Sequence, residues 1–279
     1  MPRLNLSPFR VVSRTIGVCV VALSPFKEAN PMLRKALPGL LLGMLAVPAA
    51  AQTVDEVIAK SLEARGGLDK LKAVQSVRMA GKMTMGPMEL PMVVEMKRPG
   101  SFRADITVQG TLAVQAYDGT TAWGVSPMGT GQAEALPAEM AKDMADQADI
   151  DGPLVDYKTK GHQVELVGKD KVEGSDAYKL KVTKKDGDVE YYFFDAESYL
   201  PVRVEGKRTV RGTEIEGEST LGDYKEAGGF LWPYSIQSGA KGRPEKQSLT
   251  VEKIDINPAI DEARFKMPAA KPAEAPKKD

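Results

Sequence analysis

Apolar positions follow one period at the start of the chain's main body and another after it. Val54, Val57, Ile58 and Leu62 recur at helical spacing, and Thr53-Val54-Asp55-Glu56 has the composition of a capping box, with Thr53 as cap and Glu56 at the third helical position. Gly66-Gly67 ends this helix, and Leu68 to Val74 reads as one further short helix. From Val77 the period is two. Val77, Met79, Met83 and Met85 alternate with Arg78, Lys82 and Thr84, and beyond Gly86-Pro87 the residues Met88, Leu90, Met92, Val94 and Met96 alternate with Glu89, Glu95 and Lys97. A two-residue turn at Gly86-Pro87 pairs 85 with 88, 83 with 90, 81 with 92, 79 with 94 and 77 with 96. This register places the apolar residues of both strands on one face.

The alternation continues through Phe102, Ala104, Ile106 and Val108, then Leu112, Val114 and Ala116, and past Asp118-Gly119 into Trp123 and Val125. Later strands are expected at 164–172, 178–182, 189–194, 200–204, 214–224, 230–236 and 249–256, many separated by glycine turns such as Asp186-Gly187 and Gly228-Gly229. Trp232 precedes Pro233, which places it near a strand edge or bulge. One segment breaks the series. Over 136–150, Pro137 is suited to a first helical position, and Met140, Ala141, Met144, Ala145 and Ala148 recur at helical spacing. The expected fold class is mainly β with a few helices: about 11 strands in a strongly curved antiparallel sheet, an unclosed β-barrel over an apolar cavity, with an N-terminal helix and an inserted lid-like helix.

The N-terminus reads as an export signal. Met32-Leu33-Arg34-Lys35 is basic, residues 36–51 carry no charge, and Ala49-Ala50-Ala51 before Gln52 is a small-x-small cleavage pattern. The uncharged run of 16 residues is interrupted by prolines and glycines and is shorter than the ~20 that a spanning helix needs. The expected division is 1–51 as extension plus signal peptide, with Met32 as the true start and cleavage after Ala51. One β domain then covers 52–268, and a disordered Pro/Ala/Lys tail covers 269–279. The product is expected to be periplasmic, without a permanent anchor, and monomeric.

Charge and rare residues narrow the chemistry. The chain has 38 basic and 38 acidic side chains; residues 1–51 hold six of the former and one of the latter, which leaves 32 and 37, a net charge of −5. That argues against nucleic acid as a partner. Cys19 is the only cysteine and falls in the segment expected to be lost; His162 is the only histidine. No metal and no cofactor are expected. A Ser-His-Asp hydrolase would have to use His162, which follows Lys160-Gly161 in a turn-like stretch with no nucleophile-elbow motif near it. Paired carboxylates could support glycoside hydrolysis, but none is singled out. Asp149, Asp151 and Gly152 fail as a calcium loop, because Lys158 would stand where the bidentate Glu belongs.

Three short elements, in order, resemble the LolA/LolB-like periplasmic lipoprotein-carrier family. They are Lys97-Arg98-Pro99, Asp118-Gly119 through Trp123 to Pro127, and Ala263-Arg264-Phe265 with Pro268. The resemblance implies a soluble, non-enzymatic periplasmic carrier that holds the acyl chains of lipoproteins or another lipid between an inner-membrane donor and an outer-membrane acceptor. It also implies that Arg98 bonds to the lid and helps set its opening. The Met-rich hairpin and the single Ala-rich lid segment depart from the family pattern. An envelope sensor or scaffold that binds a protein partner is the alternative, and an exported hydrolase the second.

On this reading the cavity lining is Met79, Met83, Met92, Val94, Phe102, Ile106, Val114, Trp123, Met140 and Met144, with Arg98 as latch. Methionine is favoured where a surface must accommodate varied apolar partners, and equally where an irregular core must be filled. Arg98 is either a latch on carbonyls at the cavity mouth or a solvated charge. Helix 136–150 is either a moving lid or a permanent plug.

Overall fold

The computed structural model describes residues 52–129, 131–210 and 213–269. The expected signal segment, its cleavage site and nearly all of the C-terminal tail lie outside the described residues.

Two helices open the described chain, α1 (Val54–Ala64) and α2 (Leu68–Ala73). The capping box forms as expected: Thr53 Oγ1 accepts the Glu56 N–H and Glu56 returns a carboxylate oxygen to the Thr53 N–H. Gly66, between the helices, has φ +121°, and a Cβ there would lie 2.2 Å from the Gly229 carbonyl oxygen. Only glycine lets α1 end this close to the sheet.

The remainder is one antiparallel sheet of 13 strands. The first six are β1 (Ser76–Met85), β2 (Met88–Lys97), β3 (Ser101–Val108), β4 (Thr111–Tyr117), β5 (Ala122–Val125) and β6 (Ala133–Ala135). Helix α3 (Ala138–Gln147) follows, then β7 (Gln163–Val172), β8 (Ser175–Thr183), β9 (Val189–Asp195) and β10 (Pro201–Val210). The last three are β11 (Thr213–Ala227), β12 (Phe230–Ala240) and β13 (Lys246–Ile256). Strand order runs β6-β5-β4-β3-β2-β1-β13-β12-β11-β10-β9-β8-β7. The chain therefore builds one meander outward from β1, crosses through α3 to the far edge, and returns to β13, which pairs with β1. The sheet is not closed: β6 and β7 are its two edges. Register shifts at Ala80/Gly81, Leu166/Gly168 and Pro201/Arg203 bend individual strands.

The expected count of about 11 falls short of 13, chiefly because the three-residue β6 is too short to show a period. The hairpin register is as expected, with Met85↔Met88, Met83↔Leu90, Gly81↔Met92, Met79↔Val94 and Val77↔Met96. Helix α3 starts at Ala138, with Pro137 outside it as cap rather than at the first helical position. Pro233 sits inside β12 opposite Tyr224, in a stretch where the β12–β13 ladder has not begun; that ladder starts at Ser235↔Thr250. A proline without an N–H is tolerated there for that reason.

The helices cover one face of the sheet. On it α1 buries Val57 and Ile58 against Leu180 and Phe194, and α2 buries Leu71 among Val77, Phe230, Trp232 and Ile254. Helix α3 buries Met144 against Phe102, Ala104 and Ala122. On the opposite, outer face the chain's end returns as a strap. Trp123 Nε1 donates to the Phe265 carbonyl at 2.7 Å, and Arg264 Nε donates to the buried Glu95 carboxylate at 2.6 Å. Arg103 donates to the Arg264 carbonyl at 2.7 Å, and Lys97 to the Ile260 carbonyl at 3.2 Å and Glu262 at 3.1 Å.

Candidate ligand-binding cavity

An apolar cavity of about 210 Å³ lies between α1, the segment 151–155 and the strands β9 to β12. Ile58, Leu62, Leu154, Val155 and Phe194 supply much of its wall, because α1 turns its apolar stripe toward the sheet. A larger depression of about 370 Å³ is bordered by Glu173, Asp176 and Asp195. Three carboxylates at its rim disfavour an apolar guest, so the smaller cavity is the better ligand site.

The wall segment 151–155 is tied down by Arg98. Its guanidinium reaches both oxygens of Asp151, at 3.0 and 2.5 Å, and also donates to the carbonyls of Val74 (2.7 Å) and Leu71 (3.3 Å) at the end of α2. Lys72 adds a second cation, 2.9 Å from Asp151 and 2.7 Å from Asp156. Burial alone would raise the Asp151 pKa; hydrogen bonds from Arg98 and Lys72 outweigh it and hold the carboxyl below the ordinary aspartate value. Hydrogen bonding to Asp151 likewise raises Arg98, against burial. Arg98 sits just past the end of β2, where Pro99 stops the strand. Nearby, Lys160 bonds to Asp149 and to the Gly152 carbonyl, fixing the same segment from the other side.

The ten expected lining residues are distributed otherwise. Met83, Met92 and Ile106 are buried together in one cluster, with Val94 packed against it. Met79 packs with the core under α2, and Phe102 and Met144 with one another under α3. Met140 is half-buried and outside that cluster. Val114 and Trp123 do not share this face. Val114 pairs with Asp105, and Ala116 with both Arg103 and Trp123, so they lie on the outer face beneath the C-terminal strap. None of the ten borders the cavity.

None of the residues that border it is among the site residues expected from sequence: Asp151 and Gly152 enter there only in a failed calcium loop, and Ile58 and Leu62 only as the apolar stripe of α1. Ser61 and Arg65 carried one available signal: they follow Ile58 and Leu62 on the buried stripe of α1, where a polar residue is out of pattern. His162 lies away from the cavity, its Nδ1 accepting the Lys185 N–H at 3.1 Å. Burial, then the nearby Lys160 and Lys184, lower its pKa. Among the described residues no group of three or more His, Cys, Asp or Glu is placed to hold a metal ion. No helix among them is long and apolar enough to cross a membrane.

A large open antiparallel sheet with helices on one face is the LolA-like fold, and solved structures share it. A LolA superfamily protein from Nitrosomonas europaea superposes with a TM-score of 0.53 at 15% identity, over 77% of this chain and 98% of that one. A DUF1329 family protein from Desulfovibrio piger gives 0.54 at 12% identity, over 77% and 98%. A putative outer membrane lipoprotein-sorting protein domain from Vibrio parahaemolyticus gives 0.50 at 14% identity, over 75% and 97%. No family model and no curated protein matches the chain. At these identities the likeness is one of fold.

Proposed function

We propose that this chain is an exported lipid carrier of the periplasm, which holds an acyl chain in the cavity between α1 and β9–β12. One observation carries this reading: the apolar cavity and the Arg98–Asp151 pair share a wall. Asp151 to Val155 border the cavity, and Arg98 fixes Asp151 to the end of α2. On this reading, movement of that segment widens or narrows the way to the cavity, and the salt bridge limits that movement. The gain available is about 0.8 kcal/mol per methylene buried, enough for a chain of several carbons to stay bound in water. Release then needs a second event, such as contact with an acceptor protein, and no catalytic group takes part. The helix α3 is a stopper over the Met-rich half of the sheet rather than part of this cavity.

The test is transfer. Arg98→Leu removes the ion pair that fixes the wall segment and leaves Asp151 with Lys72 alone, so the segment should open more readily and the variant should hold its cargo less tightly and pass it on faster. Transfer of a fluorescent acyl probe to acceptor vesicles, measured beside equilibrium binding, separates the two effects; transfer at the wild-type rate overturns the latch. Native mass spectrometry of protein purified without detergent from a periplasm should show a bound acylated species and an N-terminus at Gln52. An empty protein that also refuses acyl probes would instead favour a sensor or scaffold.

A further inference from the structure

Arg65 brings a positive charge to the cavity that no carboxylate among the described residues neutralises. It caps the end of α1 and is held rigidly there. Its carbonyl accepts the Leu231 N–H at 2.6 Å, its Nε donates to the Leu231 carbonyl at 3.2 Å, and its guanidinium carbon lies 4.4 Å from the centre of the Phe230 ring. A guanidinium has five N–H donors, and only the one on Nε finds a hydrogen-bond partner among the described residues. The other cations around the cavity are matched: Arg98 and Lys72 by Asp151, Lys72 also by Asp156, and Lys160 by Asp149. No carboxylate pairs with Arg65 among the described residues. Burial lowers its pKa and pushes the neighbouring Tyr224 phenol up to about 12, so the site is apolar enough to penalise an unmatched charge. One helical turn earlier, on the same face of α1, Ser61 also borders the cavity. It is buried, and its hydroxyl has no partner among the described residues.

We propose that Ser61 and Arg65 form a head-group site, and that the cavity's ligand is an anionic single-chain amphiphile, a long-chain carboxylate, whose tail lies along Ile58, Leu62, Leu154 and Phe194. This rests on the carrier reading and narrows it. The planar guanidinium matches a carboxylate with two parallel N–H donors, and the Ser61 hydroxyl adds a third. Asp151, in the same wall, does not repel the head group, because Arg98 and Lys72 already offset its charge. A neutral head group would leave the half-buried cation unmatched. At about 210 Å³, below the roughly 300–1,000 Å³ of typical ligand pockets, the cavity takes part of one chain rather than several, and the rest of a long tail leaves through its open side.

The experiment compares palmitate with hexadecanol, equal in chain length and different in charge, on the purified and delipidated protein. Binding is followed by titration calorimetry below the concentration at which either probe self-associates. Wild type should prefer palmitate by about tenfold or more, the size of a charge-assisted hydrogen-bonded pair. Arg65→Gln should abolish that preference with hexadecanol affinity unchanged, and Arg65→Lys should keep part of it. Equal binding of the two probes by wild type, or equal weakening of both by Arg65→Gln, overturns the head-group site while the carrier reading stands. Binding of neither probe overturns the carrier reading itself. Should Arg65→Gln fail to fold, Ser61→Ala carries the test: it should weaken palmitate alone by a few-fold, and an unchanged palmitate affinity would count against the site.

Discussion

At the scale of single residues, Asp151 decides whether the cavity wall is fixed. Its carboxylate is nearly buried, with 7% of the side chain exposed, and two cations hold it ionised. Its folded pKa lies below the unfolded value, so its stabilising contribution is complete above the ordinary aspartate value. That contribution is lost as pH falls through the lower folded value. Wild type should therefore exceed Asp151→Asn in urea stability at neutral pH, by about 1–3 kcal/mol for a charged buried hydrogen bond. The gap should narrow as pH falls beneath the ordinary aspartate value of 3.8. A gap that does not narrow in acid would mean that the asparagine is harmful for another reason. Arg98 was legible in the sequence through the Lys-Arg-Pro element, but its partner was not. The two are 53 positions apart, and no local spacing links a strand end to a loop beyond α3.

Elements were legible where a period ran long enough to choose one face. The β1–β2 hairpin is such a case, because a two-residue loop joined to ten-residue alternating strands admits one register that buries the apolar side. β4 shows why the same logic misplaced Val114 and Trp123. Leu112, Val114 and Ala116 alternate as an inner face should, yet the two-residue turn after Val108 pairs Thr111 with it and sends them outward. The outer face there is apolar because the strap from the C-terminus buries it, a contact from 142 residues away in the case of Trp123 and Phe265. On the Met-rich face, Met83 and Met92 pack into one cluster, each 5% exposed, whereas Met88 at the hairpin end is 38% exposed. Element-level tests follow from these contacts. Thr53→Ala should cost about 1 kcal/mol through the lost cap. Met144→Ala should cost about 2–5 kcal/mol, because the residue fills the space between Phe102 and Ala122. Chemical denaturation reads both, and a loss well under 1 kcal/mol at Met144 would mean that α3 is only loosely seated.

For the whole molecule, the two faces of the sheet have separate tasks. The three short elements that resemble the carrier family serve both. Trp123 and Arg264-Phe265 meet on the outer face, where Glu95 is 2% exposed and is paired with Arg264 at 2.6 Å and Arg78 at 3.7 Å. Lys97 joins the same strap, while its neighbour Arg98 turns to the other side and holds the cavity wall. Resemblance therefore picked out residues that keep a 13-stranded open sheet in shape, and the ligand chemistry of Ser61 and Arg65 lay elsewhere, on α1. This separation predicts independence. Trp123→Phe removes the donor to the Phe265 carbonyl and leaves that buried oxygen unpartnered, which should cost about 1–3 kcal/mol of stability and leave probe binding unchanged. Arg65→Gln should change probe binding as described and leave the strap intact. Because the sites lie on opposite faces and in different halves of the sheet, the stability effects in the double variant should add to within about 0.5 kcal/mol. Coupling much larger than that would show that the strap and the cavity communicate through the sheet, and that closing the outer face helps to shape the inner one.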